Sequence, residues 1–150
     1  MPWRKSLLRC PERYCARVSA ENVEIIKRIY AADARNDRTA AAELIDPEIE
    51  VEYRGQLIDK DATYHGFAGL LQLRESIYEN FEDFRIEVEE YVDHGEDVVV
   101  ALHQQAVGKA SGVPVDIHIG QVWTVRNGRA VRWRIYKSKD EALAAADATG

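Results

Sequence analysis

The sequence predicts an α+β fold in which helices come first and an antiparallel meander comes last. Three observations carry this. Apolar residues recur at helical spacing from about 21 to 35 and from 66 to 81. Beyond residue 84 they alternate with polar residues at a period of two. The later segments are joined by turn residues, Asn127-Gly128 above all, as hairpins are. Helices gathered ahead of a hairpin-connected sheet form an α+β domain with the helices on one sheet face.

The first 18 residues have no sustained period and read as a poorly ordered basic leader, with the domain proper spanning 19–147. Arg4, Lys5, Arg9, Arg13 and Arg17 face only Glu12, so the first 20 residues carry +4 in a chain of net charge −6. A docking arm or targeting peptide is the functional alternative. Cys10 and Cys15 fall here, and without a later cysteine or a nearby histidine they read as free thiols. Ser19 and Glu21 open a helix that Val23, Ile26, Ile29, Tyr30 and Asp33 carry to about Arg35. Asp37 or Thr39 can cap a second, Ala40 to Ile45, which Asp46-Pro47 ends. Ile49, Val51 and Tyr53 alternate with charged residues in a half-buried strand, and 54–65 is irregular. A third helix runs from Gly66 to Phe81 on the stripe Phe67, Leu70, Leu71, Arg74, Ile77 and Tyr78. Strands follow from about Phe84 to Val92, Val98 to Val107 and Val115 to Val125, and another follows the Asn127-Gly128 turn. The Ala-rich tail, Asp140 to Ala146, closes the chain as a short helix.

In the last hairpin Val115, Ile117, Ile119, Gln121, Trp123 and Val125 share one face, and Val131, Trp133 and Ile135 continue it. A two-residue turn would set Trp123 opposite Arg132 and mix the faces. A three-residue loop, Arg126 to Gly128, sets Trp123 opposite Val131 and Gln121 opposite Trp133, and is the expected one. Gln121 is then an amide in a Trp-walled apolar face, where leaving it unpaired costs roughly 1 to 3 kcal/mol. Its partner is a side chain, a water or a ligand.

The net charge argues against a nucleic-acid backbone as partner, since phosphates require clustered Lys and Arg. No apolar run approaches membrane-spanning length and Ser6-Leu7-Leu8 is too short for a signal-peptide core, so the chain reads as cytoplasmic, with no membrane partner. The four histidines lie on different elements without ligand spacing, so no metal site is expected. There is no phosphate-cradling Gly-rich loop, nucleophile elbow or catalytic cysteine context.

Several short marks recur in a telling order: Tyr30-Ala31-Ala32 through Asp37, Asp46-Pro47, Tyr64-His65-Gly66, Phe81-Glu82-Asp83-Phe84, Asp93-His94-Gly95, Ser111-Gly112, and Gln121-Val122-Trp123 to Asn127-Gly128. In these the chain resembles the nuclear-transport-factor-two-like superfamily, in particular its SnoaL-like polyketide cyclase branch. The resemblance implies a cone shape: a strongly curved, mainly antiparallel sheet with three N-terminal helices packed on its concave face. It also implies a pocket between helices and sheet, and a homodimer formed through the other face. Ketosteroid isomerase shares that fold, but Ile29, Tyr53 and Gln121 stand where its oxyanion-binding Tyr, its Asp base and its second Asp belong, so its chemistry is not expected.

Pairing Val107 opposite Val115 puts His103 and Gln105 on the face of Gln121. His103 is then the candidate catalytic base, with Tyr30, Tyr53, Gln105 and Gln121 orienting a substrate and Trp123 and Trp133 walling it. The plainer reading of His103 is a rim histidine bonded to Gln105, and a slip of one residue would turn it outward. Asp33 and Arg74 interrupt apolar helical stripes, as a buried pair closing the pocket, as a source of a base, or as partly solvated edges. Two functions fit. One is a cyclase, isomerase, dehydratase or hydrolase that moves a proton on a hydrophobic oxygenated substrate with no cofactor. The other is a non-catalytic ligand-binding or dimerisation module.

Overall fold

The computed structural model describes residues 12–58 and 61–149. Helix α1 (Glu12–Ala34) begins well before Ser19, so the backbone of the expected leader is helical from Glu12 onward. Residues 1–11 and the side chain of Cys15 lie outside the described residues, and so does the free-thiol reading of Cys10 and Cys15. Helix α2 (Arg38–Glu43) starts where Asp37 Oδ1 accepts from the Ala40 amide at 3.1 Å. Strand β1 (Ile45–Arg54) takes in Asp46-Pro47, which had been expected to precede it; the register shifts between Ile45 and Glu50, where a proline costs the ladder little.

Strand β2 (Ala62–His65) lies in a stretch expected to be irregular. Its four residues alternate, half-buried Ala62 and Tyr64 with exposed Thr63 and His65, but over too short a run to read as a strand, and it forms by pairing at the sheet edge with Glu50 to Tyr53. Helix α3 (Gly66–Asn80) is followed by β3 (Phe81–His94), β4 (Asp97–Gly108), β5 (Pro114–Arg126), β6 (Arg129–Tyr136) and helix α4 (Lys139–Thr149). The sheet order is β2-β1-β6-β5-β4-β3, with β1 and β6 parallel and the other neighbours antiparallel.

The main core lies between one sheet face and the N-terminal helices. Ile26 and Ile29 of α1 and Leu73 of α3 pack with Val51, Val100, Leu102, Ile119, Trp123 and Ile135. Helix α4 packs on the opposite face, where Ala142 and Ala146 meet Val99 and Val122. It comes so close to β5 that a Cβ on Gly120 would stand 2.5 Å from the Ser138 carbonyl and 2.7 Å from Ala142 Cβ.

Two registers differ from expectation. The β5–β6 turn has two residues, Asn127 at φ 52° and Gly128 at φ 77°, joining Arg126 to Arg129. The faces stay sorted because β6 carries a bulge: Val125 pairs with Ala130 and Thr124 with Arg132, leaving Val131 as the extra residue. Trp123 therefore lies opposite Trp133, and Gln121 opposite Ile135. Between β4 and β5, Val107 pairs with Pro114, one residue from the expected register, so Gln121 lies opposite Val100 and His103 opposite His118. The physical reason is burial: this register turns Val98, Val100 and Leu102 inward, while His103, Gln105, Asp116 and His118 share the other face.

Candidate functional site

A cavity of about 330 Å³ opens between α1, α2, α3 and the inner sheet face. Its walls are apolar, and Phe67, Leu71, Tyr78 and Ile86, each more than a third exposed, belong to its lining. Tyr30, Tyr53, Gln121, Trp123 and Trp133, on four different elements, are brought round this one space.

A hydrogen-bond chain fixes the inner wall. Trp123 Nε1 donates to the Tyr30 hydroxyl at 2.9 Å, Tyr30 donates to Gln121 Oε1, and Trp133 Nε1 donates to the same oxygen at 3.0 Å. An indole N–H can only donate, so the amide oxygen must face the two donors and the Gln121 NH₂ points elsewhere. That nitrogen has no partner among the described residues, nor is it sealed in protein: it is open to the cavity. The two indoles stack at 4.8 Å, and Tyr30 meets Trp123 edge-on.

Burial pushes the Tyr30 phenol far above its ordinary range, so it stays a neutral donor. Tyr53 is also raised by burial, although its oxygen accepts from the amides of Leu57 at 2.8 Å and Ile58 at 3.3 Å. Both hydroxyls suit hydrogen bonding and neither suits proton abstraction. Asp33 supplies a carboxylate to the lining, held by Arg74 at 3.2 Å, and both side chains are partly solvated.

His103 and Gln105 stand on the opposite sheet face, away from the cavity, as the one-residue change of register requires. There His103 contacts Asp116 at 2.6 Å, and Gln105 donates to the same carboxylate at 3.1 Å. The residue that lines the cavity in their place is Gln104, only 7% exposed and with no partner for its amide among the described residues. The sequence held a signal for it: in the series Val98, Val100, Leu102, Gln104 a single amide interrupts an apolar face, as Gln121 does on β5. The geometry thus offers two buried, partly unpaired amides and a phenol to the polar atoms of an otherwise apolar guest.

Residues 12–133 match the family model of the SnoaL-like domain. The chain belongs to the SnoaL-like domain family. Among solved structures, this SnoaL-like domain is similar to a nuclear-transport-factor-two-like protein of Burkholderia xenovorans, with 28% identity over 85% of this chain and 95% of that one and a TM-score of 0.67. It is also similar to TerC, co-crystallised with polyporic acid (19% identity, 85% of this chain and 98% of that one, TM-score 0.69). A third is a protein of ketosteroid isomerase-like fold from Catenulispora acidiphila in complex with trimethylamine (17% identity, 83% and 92%, TM-score 0.62). The last two similarities show the fold alone. No curated protein matches the chain. No helix among the described residues is long and apolar enough to cross a membrane.

Proposed function

We propose that this SnoaL-like protein binds a small hydrophobic molecule bearing a carbonyl or similar acceptor oxygen. The apolar body lies against Trp123, Trp133 and the helix side chains, and the oxygen takes the Gln121 NH₂, with Gln104 and Tyr53 as further donors. The observation that carries this reading is the orientation of Gln121: two donors hold its oxygen, and what remains is an N–H donor in an apolar wall. A buried donor left unmade costs free energy that a ligand oxygen recovers. The volume of about 330 Å³ fits a guest of one or two rings. The complexes of TerC with polyporic acid and of the Catenulispora protein with trimethylamine support small-molecule binding in this fold. The same proposal includes a homodimer formed through the sheet face away from the cavity.

Turnover is the second reading, and the Asp33 carboxylate in the lining favours it. In that case Asp33, not His103, is the candidate base, because His103 stands on the other side of the sheet.

Acetophenone and ethylbenzene have nearly the same shape and differ in the oxygen, so their comparison isolates the amide. Followed by the Trp123 and Trp133 indole N–H signals, acetophenone is expected to bind about tenfold more tightly than ethylbenzene, and Gln121→Leu to abolish that difference. Equal affinities in the unaltered protein would remove the proposed role of Gln121.

A further inference from the structure

On the sheet face away from the cavity, three adjacent strands bring together a second group of polar side chains. Glu87 of β3 pairs with His103 of β4, and His103 pairs with His118 of β5, so the three rise side by side. The two imidazoles are stacked, their centroids 4.5 Å apart and their planes 4° from parallel. One ligand atom from each of His103, Asp116 and His118 lies within 4.8 Å of the others.

The contacts are ordered in a way that a simple ion pair does not require. His103 Nε2 lies 2.6 Å from Asp116 Oδ1, while its Nδ1 is 3.9 Å from Glu87. His118 spends Nδ1 on Glu89 at 2.8 Å, which leaves its Nε2 open. Glu89 can reach that nitrogen because it is the extra residue of a bulge between Val88 and Glu90. Gln105 holds Asp116 Oδ2 at 3.1 Å and leaves Oδ1 to the shared point. Each imidazole thus has a carboxylate near one nitrogen, the arrangement by which outer residues orient metal-bound histidines, and because the stacked rings lie in near-parallel planes the exposed His118 ring must swing out of the stack for both to meet one ion.

We propose that His103, His118 and Asp116 bind a zinc-class divalent cation, with Glu89 and Gln105 holding the ligands in orientation. Two imidazoles and a carboxylate are a donor set suited to zinc, and water completes a fourth position. Bonds of roughly 2.0–2.1 Å set tetrahedral ligands about 3.3 Å apart, so His103 Nε2 and Asp116 Oδ1, now 2.6 Å apart, part by under about an ångström while His118 draws in by up to about 1.5 Å. The side chains of His118 and Asp116, 64% and 58% exposed, can rotate that far without disturbing the core. The entering ion displaces to solvent the proton that His103 and Asp116 share. The site lies across the sheet from the cavity and does not depend on what the cavity binds.

Zinc chloride titrated into the metal-free full chain, followed by proton–nitrogen NMR of the histidine rings, tests this. The expected result is saturation at one ion per chain, with the ring nitrogens of His103 and His118 shifting while those of His65 and His94 stay in place. His118→Ala, an exposed change expected to leave the melting temperature unaltered, should weaken binding more than tenfold, and Glu89→Gln, which removes only an orienting contact, by about tenfold. Zinc that moves neither ring, saturates at half an ion per chain, or binds His118→Ala as tightly as the parent overturns the proposal.

Discussion

Tyr30 ties the inner wall of the cavity together, because it both accepts from Trp123 and donates to Gln121. Tyr30→Phe leaves an indole N–H without its acceptor and an amide oxygen short of a donor. Denaturant unfolding should show a loss of about 1–3 kcal/mol. The same residue gives the protein an alkaline limit. Its phenol is held above the ordinary value of 10.0 by burial. The stability tied to that shift is complete below the ordinary value and is lost as the pH climbs past it, since only the unfolded chain then ionises the group freely. Unfolding at about pH 9 and about pH 11 should show a smaller decline for Tyr30→Phe than for the parent. Residues of this kind were legible in the sequence: one amide and two indoles on an apolar strand face already demanded polar partners. His103 was not legible in the same way. Val99 and Ala101 on its face are apolar too, so β4 alternates too weakly for its inward side to be read from the strand alone.

At the scale of the element, the last hairpin shows how a local rule and a global one are reconciled. Asn127-Gly128 makes the two-residue turn that its left-handed backbone favours, and the bulge at Val131 restores the inward face that this turn alone would have scrambled. The turn was visible in the sequence, whereas the bulge answers to burial of Trp133 and Ile135 against the helices. Helix α4 depends on a similar close fit. Gly120→Ala drives a methyl into Ser138 and Ala142, so α4 must lift from β5 at a cost of about 1–3 kcal/mol. Thermal unfolding is expected to register that loss, while ligand affinity in the cavity, on the other face of β5, should stay as in the parent.

The whole molecule is one sheet with two unlike faces. Its inner face, covered by α1 to α3, carries the cavity, and its outer face is covered by α4 over only part of its breadth. The part left open carries Glu87, His103, Asp116 and His118. A second copy on this outer face, seated so that His118 and Asp116 stay open to solvent, is the proposed assembly, and sedimentation velocity at micromolar concentration should then give a species of twice 17.0 kDa. A species at the single-chain mass would remove the dimer.

The amino-acid order by itself determined the α+β class, the run of the long helices and strands, and the aromatic side chains and the Gln121 amide that wall the cavity, because those follow from periods set by local backbone geometry. Strand β2, the partners of β4 and β5, and hence the outward turn of His103 and the inward turn of Gln104, were decided only when the sheet assembled. A shift of one residue exchanges the two faces, and it is the burial of Val98, Val100 and Leu102 beneath the helices that selects between them.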